Sequence, residues 1–210
     1  MPASLTSLGI LRNSVTAYFS MDTTNSGGLT WSREPLGVSS TSEVDAKKDG
    51  ARKFLDFSKK GARVSFSPAF KTGQAYTLTA WVKLPAPGKH GILWKGTKGL
   101  HMMLLDWGLG YYRSNGKADE PWAKAPKEIT GWHHVAVTFD GKNAQGHLDA
   151  RPLAVVKEAF AENIAFIGST ESREHEHWMM CGGVDEQLFF DRALTASELM
   201  TVIAFTKAKN

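Results

Sequence analysis

The sequence predicts an all-β fold, a sandwich or a barrel, finished by a single short helix. Three observations carry this expectation. About a dozen short apolar or alternating runs follow one another along the 210 residues. Gly, Pro, Asn and Asp punctuate them. No helical pattern of about 10–15 residues alternates with them, which argues against a parallel α/β arrangement.

The elements follow in order. "VTAYFSM" (15–21) alternates, and "KFLDF" (53–57) and "ARVSFS" (62–67) stand either side of a Lys-Lys-Gly turn. In "YTLTAWVKL" (76–84), Tyr76, Leu78, Ala80, Val82 and Leu84 share one face, because strand side chains point alternately to opposite sides. "HGILW", "LHMMLLDW" and "LGYYRS" come next, then "HHVAVTF", "GHLDA", "PLAVV", "IAFIG" and "GVDEQLFF". The helix is read in "RALTASELMTVIAF" and starts at about Thr195. There Thr195 and Glu198 form a capping box, Leu194 and Leu199 stand at staple positions, and Leu199, Val202 and Ile203 form a one-sided stripe. No repeat, low-complexity tract or linker divides the chain, so residues 1–14 read as an N-terminal extension and 15–210 as one domain.

Composition narrows the function classes. A 42% hydrophobic, 22% charged chain fits a soluble globular protein with one generous core. No apolar run approaches the roughly 20 residues of a membrane-spanning helix. The opening "MPASLTSLGILRNS" lacks the basic and apolar regions of a signal peptide. Cys181 is the single cysteine, which excludes an internal disulfide and a cysteine zinc cluster. The net charge is +4, and residues 45–63 hold seven Lys/Arg among three Asp. Such a stretch attracts acidic polymers or simply forms solvated turns. No nucleic-acid motif accompanies it, so nucleic acid is not an expected partner.

Several pieces together, "AYFSMD", "ARKFLDFSKKGARVSF", "YTLTAWVKLP", "WHHVAVTFDG", "GHLDARPL" and "GGVDEQLFFDRALTASEL", stand in the order and spacing of a known family. From about Val15 to Leu199 the chain resembles LamG-like jelly-roll domains of the concanavalin A-like lectin/glucanase superfamily. The resemblance implies a two-sheet antiparallel jelly-roll sandwich with its first and last strands paired. It also implies an extracellular setting, a glycan or glycoprotein partner, and in many relatives a structural calcium ion. Asp22 and Asp185 match the family's recurrent acids and are the metal candidates, with turn capping as the alternative. Two features depart from the pattern. Gln187 replaces an aliphatic residue, and "TTNSGGLTW" replaces an acidic Gly-rich segment. A core-facing Gln187 needs hydrogen-bond partners.

Catalysis is not expected. Glucanases need two carboxylates facing one another about 5–9.5 Å apart. This chain has no Glu-x-Asp-x-Glu run, and Asp185 and Asp191 are about 20 Å apart at strand rise. No Gly-x-Ser-x-Gly, P-loop or His-Glu-x-x-His motif is present. His133 and His134 are adjacent on a strand, so they diverge and cannot chelate together. His133 is expected on the core face, with its ring nitrogens on backbone partners. His175, His177, Glu174 and Cys181 read as soft metal ligands or as a solvated loop. Trp81 and Trp132 read as packing. The ligand site is expected on loops 94–122 and 170–181, with Trp107, Tyr112 and Trp178 stacking and Arg113 and Asp106 as polar partners. The expected function is a non-catalytic carbohydrate-binding domain for a glycan or glycosylated surface; if that ligand is acidic, the Lys47–Arg63 segment adds salt-sensitive attraction. A protein-interaction domain is the alternative, and a glycan-cleaving enzyme the third reading.

Overall fold

The computed structural model describes residues 3–84, 91–105, 108–113, 117–121, 130–156, 162–168, 180 and 182–208. Its strands are β1 (Val15–Phe19), β2 (Leu29–Ser32), β3 (Val38–Ser42), β4 (Asp45–Asp49), β5 (Arg52–Asp56), β6 (Arg63–Phe70), β7 (Tyr76–Leu84) and β8 (Gly91–Gly96). They continue as β9 (Leu100–Leu105), β10 (Gly108–Arg113), β11 (Lys117–Pro121), β12 (Gly131–Phe139), β13 (Ala144–Leu148), β14 (Arg151–Val156), β15 (Ile164–Gly168) and β16 (Gly183–Phe190). A single α-helix among the described residues, α1 (Ala196–Lys207), follows them. Two antiparallel sheets form a jelly-roll sandwich. The first runs β14-β13-β12-β7-β16-β1-β2, with the β4–β5 hairpin on the N-terminal end of β16, and the second runs β11-β10-β9-β8-β15-β6-β3. The first and last strands pair, Val15 opposite Phe190 and Phe19 opposite Gln187.

Alternation places the core. In β7, Tyr76, Leu78, Ala80 and Val82 point between the sheets and have no solvent exposure. Val135, Val137 and Phe139 of β12 stand beside them. The other face of the first sheet is covered too. Two 3-10 helical stretches over Ala3–Ser14, broken at Gly9, and α1 pack Leu5, Leu8, Leu11, Leu199, Val202 and Phe205 onto it. The residues read as an N-terminal extension thus form part of a second hydrophobic layer. Helix α1 begins as its sequence requires: the Thr195 side chain accepts from Glu198 N–H, and Glu198 returns a bond to Thr195 N–H. Leu194 and Leu199 are both buried in the layer beneath.

Four strands escape the sequence reading: "LTWS", "VSSTS", "DAKKD" and "KADEP", which form β2, β3, β4 and β11. All four lie at sheet edges. An edge strand guards against edge-to-edge pairing with polar and charged residues, so "VSSTS", "DAKKD" and "KADEP" lack the apolar alternation that would reveal them, while "LTWS", at four residues, is too short to stand out. The Lys-Lys-Gly turn joins β5 in one sheet to β6 in the other, carrying the chain across the sandwich.

Candidate functional site

The outward parity of β7 and β12 carries large polar-tipped side chains where a solvated face would carry small polar ones. Trp81 and Lys83 of β7 stand opposite His134 and Trp132 of β12, and Asp185 of β16 stands opposite Trp81. Arg52, at the head of β5, reaches across this surface. Its guanidinium lies 4.7 Å from the Trp81 ring centre and 4.5 Å from that of Trp132. Two cation–π contacts hold it as a flat plate between indoles. Trp81 is anchored below by its Nε1, which donates to Thr206 Oγ1 of α1 at 2.8 Å. Half-buried Trp132 donates from Nε1 to Asp49 Oδ2 at 2.8 Å, and Phe54 meets it edge-on at 5.2 Å. Gly183 permits this packing, because a Cβ there would lie 2.7 Å from Phe54 and 3.0 Å from Trp132. The tight β4–β5 turn, in which Gly50 adopts a positive φ of 63°, brings Asp49 opposite Arg52.

Asp49, Arg52 and Trp132 line a surface groove of about 360 Å³ with Gly50, Ala51 and Lys207. Its electrostatics are uneven. Lys83 Nζ donates to Asp49 at 2.6 Å, and together with the indole it holds the Asp49 carboxyl below the usual carboxylate range. Arg52 has Asp185 as its nearest carboxylate, 3.5 Å away. The Arg52 side chain makes no hydrogen bond to any described residue, and its buried Nη1 meets Asp185 only as an ion pair, beyond hydrogen-bond geometry. Asp185 has no solvent exposure. Burial, reinforced by the neighbouring Glu186 and opposed by Arg52, pushes its pKa up to about 8. Glu186, at a bulge with a φ of 45°, accepts from Tyr18 Oη at 2.8 Å. The tyrosine hydroxyl is pushed far above its ordinary range, first by burial and then by Glu186.

A second groove, about 550 Å³, opens beside Arg33, Pro35, Leu36, Pro68 and Phe70. Its arginine is fully engaged: it donates to Asp191 Oδ2 at 2.6 Å and to the Asn13 and Val15 carbonyls at 2.6 and 3.0 Å. The walls are mostly apolar, and although Glu34 and Lys71 stand among them, no tryptophan or tyrosine ring lines this groove for a sugar face. The Arg52 groove is the better candidate on that ground.

The expected site residues are distributed differently. Asp106, Trp107 and Trp178 lie outside the described residues, as do Glu174, His175, His177 and Cys181. Tyr112 and Arg113 belong to β10, next to edge strand β11, opposite His101 and Leu100 of β9. Asp22 is exposed just beyond β1, near enough for its charge to act on Asp185. Calcium takes six to eight oxygen ligands. Asp185 instead faces a guanidinium from a site that favours its protonated form, and no three His, Cys, Asp or Glu side chains converge among the described residues. That donor set does not fit calcium. His133 is half-buried: Nε2 donates to the Thr130 carbonyl at 3.2 Å, and Nδ1 lies 2.9 Å from Asp149. His134 is the more deeply buried of the two, edge-on to Trp81 at 5.6 Å. Gln187 finds its partner in Trp94, whose Nε1 donates to Oε1 at 2.7 Å. Sequence reasoning missed Trp81, Trp132 and Arg52 as a group. The available signal was parity, because both tryptophans fall opposite the apolar positions of their strands.

No curated protein matches the chain in sequence. Among solved structures, a Trypanosoma rangeli sialidase in complex with 2,3-difluorosialic acid superposes with a TM-score of 0.65 at 18% identity, over 93% of this chain and 33% of that one. The binding domain of Paraclostridial Mosquitocidal Protein 1 gives 0.65 at 17%, over 94% and 53%. Domain 4 of AbnA, a GH43 extracellular arabinanase from Geobacillus stearothermophilus in complex with arabinotriose, gives 0.62 at 16%, over 90% and 98%. The chain thus spans about a third to a half of the first two structures and nearly all of the third. At these identities the likeness is one of fold. Residues 58–200, more than half of the chain, match the Laminin_G_3 family, and the chain belongs to the concanavalin A-like lectin/glucanases superfamily.

Proposed function

We propose that this is a non-catalytic carbohydrate-binding domain acting on glycans outside the cell. The observation that carries the reading is the groove at Trp132. A half-exposed indole stands beside Asp49, Lys83, Arg52 and Lys207, which is the pairing a sugar needs: an aromatic surface for its C–H face and polar groups for its hydroxyls. The fold supports it, since the neighbours include an arabinanase domain in complex with arabinotriose. Hydrolysis is not part of the proposal. Asp49 is the carboxylate lining the groove and is committed to Lys83 and Trp132, and Asp185 is buried beneath Arg52. No opposed pair flanks the open space among the described residues. Trp107, Tyr112 and Trp178, with Asp106 and Arg113, are proposed as a second contact surface.

A glycan array followed by calorimetry tests the reading. The wild-type chain is expected to bind at least one oligosaccharide, and Trp132→Ala to weaken binding about tenfold or more with its melting temperature within a few degrees of wild type. A folded wild-type chain that binds no glycan would favour a protein-interaction domain instead.

A further inference from the structure

We propose that the Arg52 groove takes the carboxylate or sulfate group of an acidic saccharide. This rests on the glycan-binding reading and adds the charge of the ligand to it. The first support is the state of Arg52 itself. A guanidinium offers five donors in a planar fork that matches an oxyanion edge. Arg52 is 9% exposed, and none of its donors is hydrogen-bonded to a described residue. Nη1 is the buried nitrogen, turned toward Asp185 at 3.5 Å, and Arg52 is one of the residues that line the groove. Guanidinium donors that no described residue satisfies are available to a ligand that reaches them.

The second support is preorganisation. Indoles at 4.7 and 4.5 Å hold the guanidinium by cation–π contact, so the fork is restrained before an oxyanion arrives. The third is charge. Lys207 stands at the rim, while Lys83 and Asp49 neutralise each other. Glu186 accepts from the neutral Tyr18 hydroxyl and still acts on Arg52 by its charge, while burial keeps the Asp185 carboxyl largely protonated near neutral pH. In the groove lining itself the carboxylate, Asp49, is matched by Lys83, so Arg52 and Lys207 leave positive charge in excess there. Trp132 supplies the stacking surface for the ring that carries the anion.

The experiment is binding of the full chain to uronate-bearing and sulfated oligosaccharides, each beside its neutral methyl-ester or desulfated counterpart, read by calorimetry and by Trp emission. At about 0.1 M salt the charged member of a pair should bind about tenfold or more tightly. The preference should shrink as the Debye length falls to about 3 Å at 1 M. Arg52→Gln and Lys207→Ala should each weaken the charged member of a pair far more than its neutral counterpart, so that the preference is lost. Lys207 is exposed, so its variant keeps the test valid if Arg52→Gln fails to fold. Arg52→Lys, which keeps the charge but loses the fork, should recover only part of the preference. Equal binding of charged and neutral members, or a preference unmoved in Lys207→Ala, overturns the inference and leaves the glycan reading standing. Failure of every saccharide, charged or neutral, on a folded chain overturns both.

Discussion

Asp185 and His134 hold opposite proton balances within one buried layer, and each makes stability depend on pH. Asp185 titrates near 8 in the folded chain and near 3.8 when free. Between those values the unfolded chain has released a proton that the folded chain keeps. Its contribution is therefore greatest below about pH 4 and declines as pH rises toward 8. Burial depresses His134 from 6.5 to about 3 and His147 from 6.5 to about 4. Their contribution is full above pH 6.5 and is lost as pH falls through that window. The two effects cross, so the melting temperature should peak close to pH 6.5. Asp185→Asn keeps the shape and removes the ionisation; it should raise the melting temperature at pH 7–8 and leave it nearly unchanged at pH 4. A lowered melting temperature at pH 7 would show instead that an ionised Asp185 holds Arg52 in place.

At the scale of elements, α1 is fixed by its first turn and by what its end presents. Arg192 grips Glu198 with two bonds, at 3.0 and 2.6 Å, while Glu198 also serves the cap. These contacts, Arg192 foremost, draw the Glu198 carboxyl down to about 2. Thr195→Ala removes one partner of the box and should cost about 1 kcal/mol. In a chain of this size that is a fall of about 2–4 °C in melting temperature, measurable by calorimetry. Because Thr206 anchors Trp81 and Lys207 stands on the groove, the same change should loosen glycan binding measurably at temperatures where the helix frays. The β4–β5 hairpin shows how a basic run is spent. Lys47 pairs with Asp56, and Lys59 with Asp45 at 2.9 Å. Part of the positive charge of residues 45–63 is thus matched within the segment, and Arg52 turns inward to the tryptophans.

The whole molecule is a sandwich with a third, helical layer on one side, and its two hydrophobic clusters share the first sheet. Asp22 and Asp185 do not assemble a calcium donor set, so millimolar calcium and EDTA should each leave the melting temperature unmoved, as a ligand of the native state would raise it. A rise with calcium would place its ligands beyond these two residues. The sequence by itself determined the strand class, the core parity of β7 and β12, and the capped helix at Thr195, because period-two alternation and capping chemistry are local. It also carried the family resemblance that residues 58–200 bear out. Only the tertiary structure decided which edge strands existed, since β2, β3, β4 and β11 are short and largely polar or charged in sequence and leave no long apolar alternation. It alone decided the groove as well. Arg52, Trp81, Trp132 and Asp185 come from four strands spread over 134 positions, and no local pattern encodes a contact made by strand order and register.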